Sequence, residues 1–114
     1  MEFGVIFLEK SLSSIQQEVD DYIQQFKTGY FSPLGQLARL TEEVGELARE
    51  INHHHGEKQK KASEGTKELK EELGDTLFVL ISLANSLEID LTESFDLTMK
   101  KFNERDANRF ERKE

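Results

Sequence analysis

Apolar residues recur at helical spacing in four separate stretches, and the only proline stands where a helix can begin, so this sequence can bury its apolar side chains only as an all-α fold. Ile15, Val19, Tyr22, Ile23 and Phe26 follow i, i+4, i+7, i+8 and i+11. The spacing predicts a first helix over 14–28, with Ser14 and Gln17 set as a capping box and Gly29 as its stop. Ser32 before Pro33 reads as an N-cap followed by a first-turn proline, so a second helix is expected over 33–52 with Leu37, Leu40, Val44, Leu47 and Ile51 inward. The segment HHHGEKQKKASEG has no apolar period and forms the one long connection. A third helix follows from about Thr66 to Leu87, carried by Leu69, Leu73, Leu77, Leu80, Ile81 and Ala84. Asp90 and Glu93 then make a second capping box ahead of Leu91, Phe95, Met99, Phe102 and Phe110. The expected architecture is a four-helix bundle occupying residues 14–110, between an N-terminal arm (1–13) and a C-terminal tail (111–114). The short connections at 29–32 and 88–90 predict antiparallel packing of the helices that they join.

A chain of 114 residues holds one core, and with 36% hydrophobic against 33% charged residues much of its helix surface must be solvated or shared with a second copy. A homodimer or homotetramer, with helices packed across a two-fold axis, is therefore expected. The net charge of -8 argues against nucleic-acid binding, which needs a basic footprint. A small anionic substrate stays open, because a metal or a few local cations can reverse the field. The absence of cysteine excludes disulfides and thiolate–metal sites. The apolar run Val5 to Leu8 lacks a basic flank and is too short for a signal peptide or a membrane span, which points to a cytoplasmic protein without membrane contact.

Two acidic segments stand out against that net charge: EEVGE, Glu42 to Glu46, and EELGD, Glu71 to Asp75. Adjacent like charges on a helix destabilise it by roughly 0.2–0.5 kcal/mol per pair and an internal glycine by about 0.8–1.0 kcal/mol, so a compensating role is expected. Residues three apart on a helix are separated by about 60° and roughly 4.5 Å of rise. Glu43 and Glu46 thus emerge side by side, as do Glu72 and Asp75, each pair next to apolar positions at the rim of the core. Gly45 and Gly74 would admit a close helix or ligand. Four converging carboxylates repel one another, and a divalent cation resolves the repulsion. An oxygen-only ligand set favours Mg2+, with Mn2+ as a substitute, over zinc or copper. Magnesium commonly takes a substrate phosphate as a further ligand, which implies a polyphosphate substrate. Glu50, Glu57, Glu64, Glu68 and Glu88 read instead as ordinary surface charge.

The pair EEVGE and ELGD resembles the EExxE…ExxD signature of the MazG-like all-α nucleotide pyrophosphohydrolases, whose relatives include dimeric dUTPases and dCTP pyrophosphatases. The resemblance runs from about Ile15 to Arg109 and includes the loop length between the motifs. It implies hydrolysis of NTP or dNTP to the nucleoside monophosphate and pyrophosphate with Mg2+, in nucleotide-pool house-cleaning, by an oligomer. Carried over position by position, it makes Glu43, Glu46, Glu72 and Asp75 the metal ligands and Glu42 the group that orients or deprotonates the attacking water. Arg39, one turn before the first motif, and Lys101 with Arg105 on the last helix would neutralise the phosphates, with Asn103 as a polar contact.

Three aromatics in FKTGYFSP, Phe26 to Pro33, either stack on a base or serve as core and helix-staple residues. The histidines at 53–55 suit a helix C-terminus better than a metal, and Lys58, Lys60 and Lys61 read as a solvated loop that could also sweep over phosphates. Two rival readings are a ferritin-like di-metal carboxylate bundle and a non-enzymatic helical interaction module. The first wants two Glu-x-x-His pairs, and only Glu50 with His53 has that spacing.

Overall fold

The computed structural model describes residues 8–56 and 69–113, and these form four helices without strands: α1 (Leu12–Ile23), α2 (Pro33–His55), α3 (Leu69–Ser86) and α4 (Leu91–Asp106). The expected segment 1–7, the lysines at 58, 60 and 61 and the start of the third helix at Thr66 lie outside the described residues.

Local chemistry explains where the helices begin and end. The first helix starts a turn earlier than Ser14 predicts, because Ser11 caps it: Ser11 Oγ accepts from Ser14 N at 3.1 Å, and Ser14 Oγ donates to the Ser11 carbonyl at 2.9 Å. Gln17, expected in the capping box, donates instead to Asp21 Oδ1 at 2.8 Å. Helical winding gives way to tight turns after Ile23, and Gly29 at φ 61° takes the left-handed conformation that redirects the chain. Ser32 caps α2 by accepting from Gly35 N at 3.1 Å, with Pro33 in the first turn as expected. The helix continues through all three histidines to a Gly56 cap. Asp90 caps α4, its Oδ1 accepting from Thr92 N at 2.9 Å.

The packing departs from the expected neighbour scheme. α2 packs on α3, while α1 packs on α3 and α4. The helices joined by the two short connections are not the ones with the principal contacts. Only part of the apolar stripe of α2 faces inward: Leu40 and Leu47 are half-buried, whereas Leu37, Val44 and Ile51 are 49, 49 and 44% exposed, and Gln36 and Glu50 are buried with Glu43 half-buried. Positions 36, 43 and 50 recur every seven residues and so share one face, about 100° around the helix from the 37, 44, 51 line. That face, with the half-buried Leu40 and Leu47 set between its polar residues, meets α3. Leu73, Leu77 and Leu80 on α3 are likewise about half exposed, and α4 has no buried residue. The buried apolar residues among those described are Val19, Val79, Ile81 and Ala84. The radius of gyration is 18.1 Å, against about 13 Å for a compact chain of 100 residues. Gly45 and Gly74 face open space, so the close approach expected at them is not made by the described residues of this chain.

A small apolar core leaves polar contacts to fix the position of α1. Gln16 Nε2 donates to Asn85 Oδ1 (2.8 Å) and to the Ile89 carbonyl (2.9 Å), while its Oε1 accepts from Leu91 N (2.9 Å). Asn85 Nδ2 donates to the Gln16 carbonyl (2.9 Å) and to the Tyr30 hydroxyl (3.1 Å), which itself donates to Asp20 Oδ1 (2.6 Å). Two amides and a phenol thus tie α1 to the end of α3, the start of α4 and the turn ahead of α2.

Burial, with the bond to Asp20 next, pushes the Tyr30 phenol from 10.0 up to about 12. Its folded pKa lies above the unfolded one, so its contribution is fully present below pH 10 and is lost as pH rises through about 12. Tyr30→Phe is expected to lower unfolding free energy by about 1 kcal/mol at pH 8, with the difference from the parent protein shrinking between pH 10 and 12 in urea titrations. A second expectation concerns the end of α3, where Glu88 sits at φ 56° and the Ile89 N–H closes the helix on the Ala84 carbonyl at 2.9 Å. A left-handed non-glycine residue costs roughly 1–2 kcal/mol. Glu88→Gly should therefore raise the melting temperature, with a gain of about 1 kcal/mol.

Candidate active site

α2 presents Glu43 and Glu46 one turn apart, and α3, packed against it, presents Glu72. One carboxylate oxygen from each of the three lies within 4.8 Å of the others. Glu72 is only 1% exposed, Glu43 is half-buried and Glu46 is exposed, so the cluster opens to solvent on one side. Asp75, one turn along α3 from Glu72, is half-buried and lies outside that three-membered group. Glu42 is exposed beside Glu43. The donors are all carboxylate oxygens, which suits a hard divalent cation and not a soft one.

Further along the same two helices, toward the start of α2, lies a cavity of about 370 Å³. Arg39, one turn before Glu43, stands between the two features, its guanidinium 5.9 Å from the centroid of the Phe78 ring. Tyr22 meets Phe26 edge-on at 5.5 Å and Phe78 edge-on at 5.8 Å, giving the cavity an aromatic wall. Phe26 and Phe31 are 55 and 57% exposed. These two aromatics of the 26–33 segment therefore line the cavity and do not belong to the core. Tyr30, held by Asp20 and Asn85, completes that side.

Two polar side chains reach the cavity from positions that exclude bulk water. Gln36 is 3% exposed and donates through Nε2 to the Phe31 carbonyl at 2.8 Å. Ser82 is 5% exposed, and its Oγ meets no hydrogen-bonding partner among the described residues. A buried hydroxyl in that state is expected to take a ligand or a water.

Lys101, Asn103 and Arg105 are exposed on a helix that packs on α1. Lys101 Nζ and the Arg105 guanidinium lie 5.2 and 4.7 Å from the centroid of the Phe102 ring. Arg105 also grips Asp106 through two bonds of 2.9 and 3.2 Å, which hold the Asp106 carboxyl below its ordinary range.

Gln36, Phe78 and Ser82 did not stand out in the sequence, although a periodic signal for two of them is there. Gln36 is seven residues before Glu43, and Ser82 seven after Asp75, so each shares a helix face with an acidic position. The same rule corrects the reading of Glu50 as ordinary surface charge: seven residues beyond Glu43 it is 6% exposed, with Oε2 3.5 Å from His54 Nε2. His53 beside it is buried, and the histidines are not part of the three-carboxylate group.

Comparison with known proteins agrees with this arrangement. The model of the MazG nucleotide pyrophosphohydrolase domain matches residues 31–110, a span that takes in both acidic segments. YpjD of Bacillus subtilis (strain 168), an uncharacterized protein, is 62% identical over 106 residues, covering 93% of this chain and 96% of that one. The crystal structure of Bacillus subtilis YpjD superposes with a TM-score of 0.76 at 62% identity, over 85% of this chain and 99% of the other. That of the Bacillus-conserved MazG protein, a nucleotide pyrophosphohydrolase, gives 0.74 at 54% identity, over 85% and 94%. With the motifs, the helical fold and the matched span in agreement, the chain belongs to the MazG nucleotide pyrophosphohydrolase family.

Proposed function

We propose that the chain hydrolyses a nucleoside triphosphate, ribo- or deoxyribo-, between its α- and β-phosphoryl groups, using Mg2+ or in its place Mn2+, and so takes part in cytoplasmic nucleotide-pool house-cleaning. The observation that carries the reading is the order of features along α2 and α3: three carboxylates within 4.8 Å, then Arg39, then an aromatic cavity. A nucleotide has the same order, with its anionic tail at one end and a flat ring at the other. No helix among the described residues is long and apolar enough to cross a membrane.

In this reading Glu43, Glu46 and Glu72, with Asp75 a turn away, hold the divalent cation. The ion, when bound, supplies positive charge for the phosphoryl oxygens and acidifies water. Glu42 orients the attacking water and takes its proton as the water oxygen bonds to the α-phosphorus. The α,β-anhydride P–O bond breaks in the same displacement, and pyrophosphate leaves. Arg39 neutralises the phosphate chain between the carboxylates and the ring. The catalytic unit is residues 14–110, with 1–13 and 111–114 outside it.

A homodimer or homotetramer is part of the proposal. The half-exposed line of Leu37, Val44 and Ile51 on α2, with Leu73 and Leu77 on α3, supports a second copy packed there. Gly45 and Gly74, open to solvent in one chain, would admit its close approach. Lys101, Asn103 and Arg105, exposed on α4, enter as phosphate contacts through that second copy.

Glu46→Gln and Glu72→Gln are each expected to reduce pyrophosphate release by at least about 100-fold, while helicity measured by circular dichroism stays intact. Undiminished activity in both variants would remove the assignment. Sedimentation velocity at micromolar concentration should give a dimer or tetramer, and a stable monomer would overturn the oligomeric part.

A further inference from the structure

We propose that the aromatic cavity selects bases bearing an exocyclic amino group beside an unprotonated ring nitrogen, the pattern of cytosine and adenine, over bases with a carbonyl beside a ring N–H. The inference rests on the nucleotide reading above and names the substrate class that the same site prefers. Its grounds are the two buried polar side chains that interrupt the aromatic wall, Gln36 and Ser82.

Gln36 is fixed in orientation. Its Nε2 donates to the Phe31 carbonyl at 2.8 Å, a contact that Oε1 cannot replace because two acceptors would then face each other. The amide oxygen is left as the acceptor. A base with an exocyclic amine supplies the missing N–H. A base with a carbonyl in that position sets oxygen against oxygen, and Gln36 cannot turn over without giving up Phe31.

Ser82 Oγ is the adaptable member. Its hydroxyl both donates and accepts, and it has no partner among the described residues. Donating to the unprotonated ring nitrogen next to the amine, it satisfies a group that burial otherwise leaves unmatched. It could turn to accept from a ring N–H, but the opposed oxygens at Gln36 would remain. The polar pair therefore distinguishes the amino pattern from the carbonyl pattern, while Tyr22, Phe26 and Phe78 offer faces to any flat ring. A cavity of about 370 Å³ lies within the range of small-molecule sites and does not separate one ring from two, so the selection runs by base edge and not by size.

The test uses two substrate pairs that differ chiefly in that edge: CTP against UTP, and ATP against ITP. With Mg2+ present, kcat/KM for pyrophosphate release should favour CTP and ATP by roughly tenfold. Ser82→Ala should reduce kcat/KM for CTP and ATP several-fold, with an unchanged melting temperature because the hydroxyl meets no hydrogen-bonding partner among the described residues. Calorimetric titration with CTP and UTP separates this inference from the reading beneath it. No turnover, but tighter binding of CTP than UTP that Ser82→Ala weakens, would defeat the pyrophosphohydrolase reading and keep the base selection. Turnover with equal kcat/KM within both pairs, or with the carbonyl bases preferred, would overturn the base selection and keep the hydrolase. Failure to turn over any nucleotide together with no difference in binding would overturn both, and undiminished kcat/KM for CTP and ATP in Ser82→Ala would remove Ser82 from the base contacts.

Discussion

A carboxylate taken almost wholly out of water is the constraint around which this molecule is arranged. Glu72 is 1% exposed where α3 packs against α2, and two further carboxylates, Glu43 and Glu46, bring oxygens to within 4.8 Å of the same place. Burying one anion is costly, and gathering three raises the cost through mutual repulsion. A helix pair optimised for stability alone would set leucine there. The sequence has a leucine available one residue from Glu72, at 73, and leaves it 54% exposed. The α2–α3 interface therefore sacrifices apolar burial to hold anionic oxygens in one volume, which is what the proposed binding of a divalent cation requires.

That choice propagates through the fold. With Gln36, Glu43 and Glu50 interleaved with the half-buried Leu40 and Leu47 on the face of α2 toward α3, apolar burial between the helices is reduced, and few apolar residues among those described are fully buried. Orientation is then carried by directional contacts. Gln16 and Asn85 exchange hydrogen bonds between α1 and α3, and the Tyr30 hydroxyl, set between Asn85 and Asp20, fixes the turn that enters α2. The same phenol forms part of the cavity next to Arg39, so the network that replaces a larger core also shapes one wall of the candidate site.

Much of this was legible in the sequence, and the parts that were not share a physical cause. Helix existence followed from the 3.6-residue period, and the Ser32–Pro33 and Asp90 starts followed from capping chemistry, because both are local. Glu43, Glu46 and Glu72 could be brought together because spacing on two helices and one reversal suffice. The facing of α2 was only partly legible because apolar periodicity identifies a stripe without saying what covers it: Leu37, Val44 and Ile51, left exposed, read in the sequence like the half-buried Leu40 and Leu47. The neighbours of α1 were misread because loop length was taken as the guide, whereas the side-chain amides of Gln16 and Asn85 decided the matter across 69 positions of sequence. Gln36 and Ser82 were missed because neither residue type signals chemistry alone. Their meaning comes from burial, and burial is a property of the packed pair.

Heptad spacing from the acids recovers those residues afterwards and explains why the site is elongated. On antiparallel packed helices, positions seven apart stay nearly in line, so a groove begun at Glu43 and Asp75 continues to Gln36 on one helix and Ser82 on the other. Arg39 and Phe78 occupy the intervening turn and meet through the face of the ring. Each turn along the groove thus changes the chemistry offered: anionic oxygens, then a cation on an aromatic face, then an aromatic cavity with two fixed polar atoms. A ligand that matched a single segment would gain only one of these interactions. One that carries a metal-binding polyanion and a flat heterocycle on a short linker gains all three, and the spacing of the helix turns sets how long that linker can be.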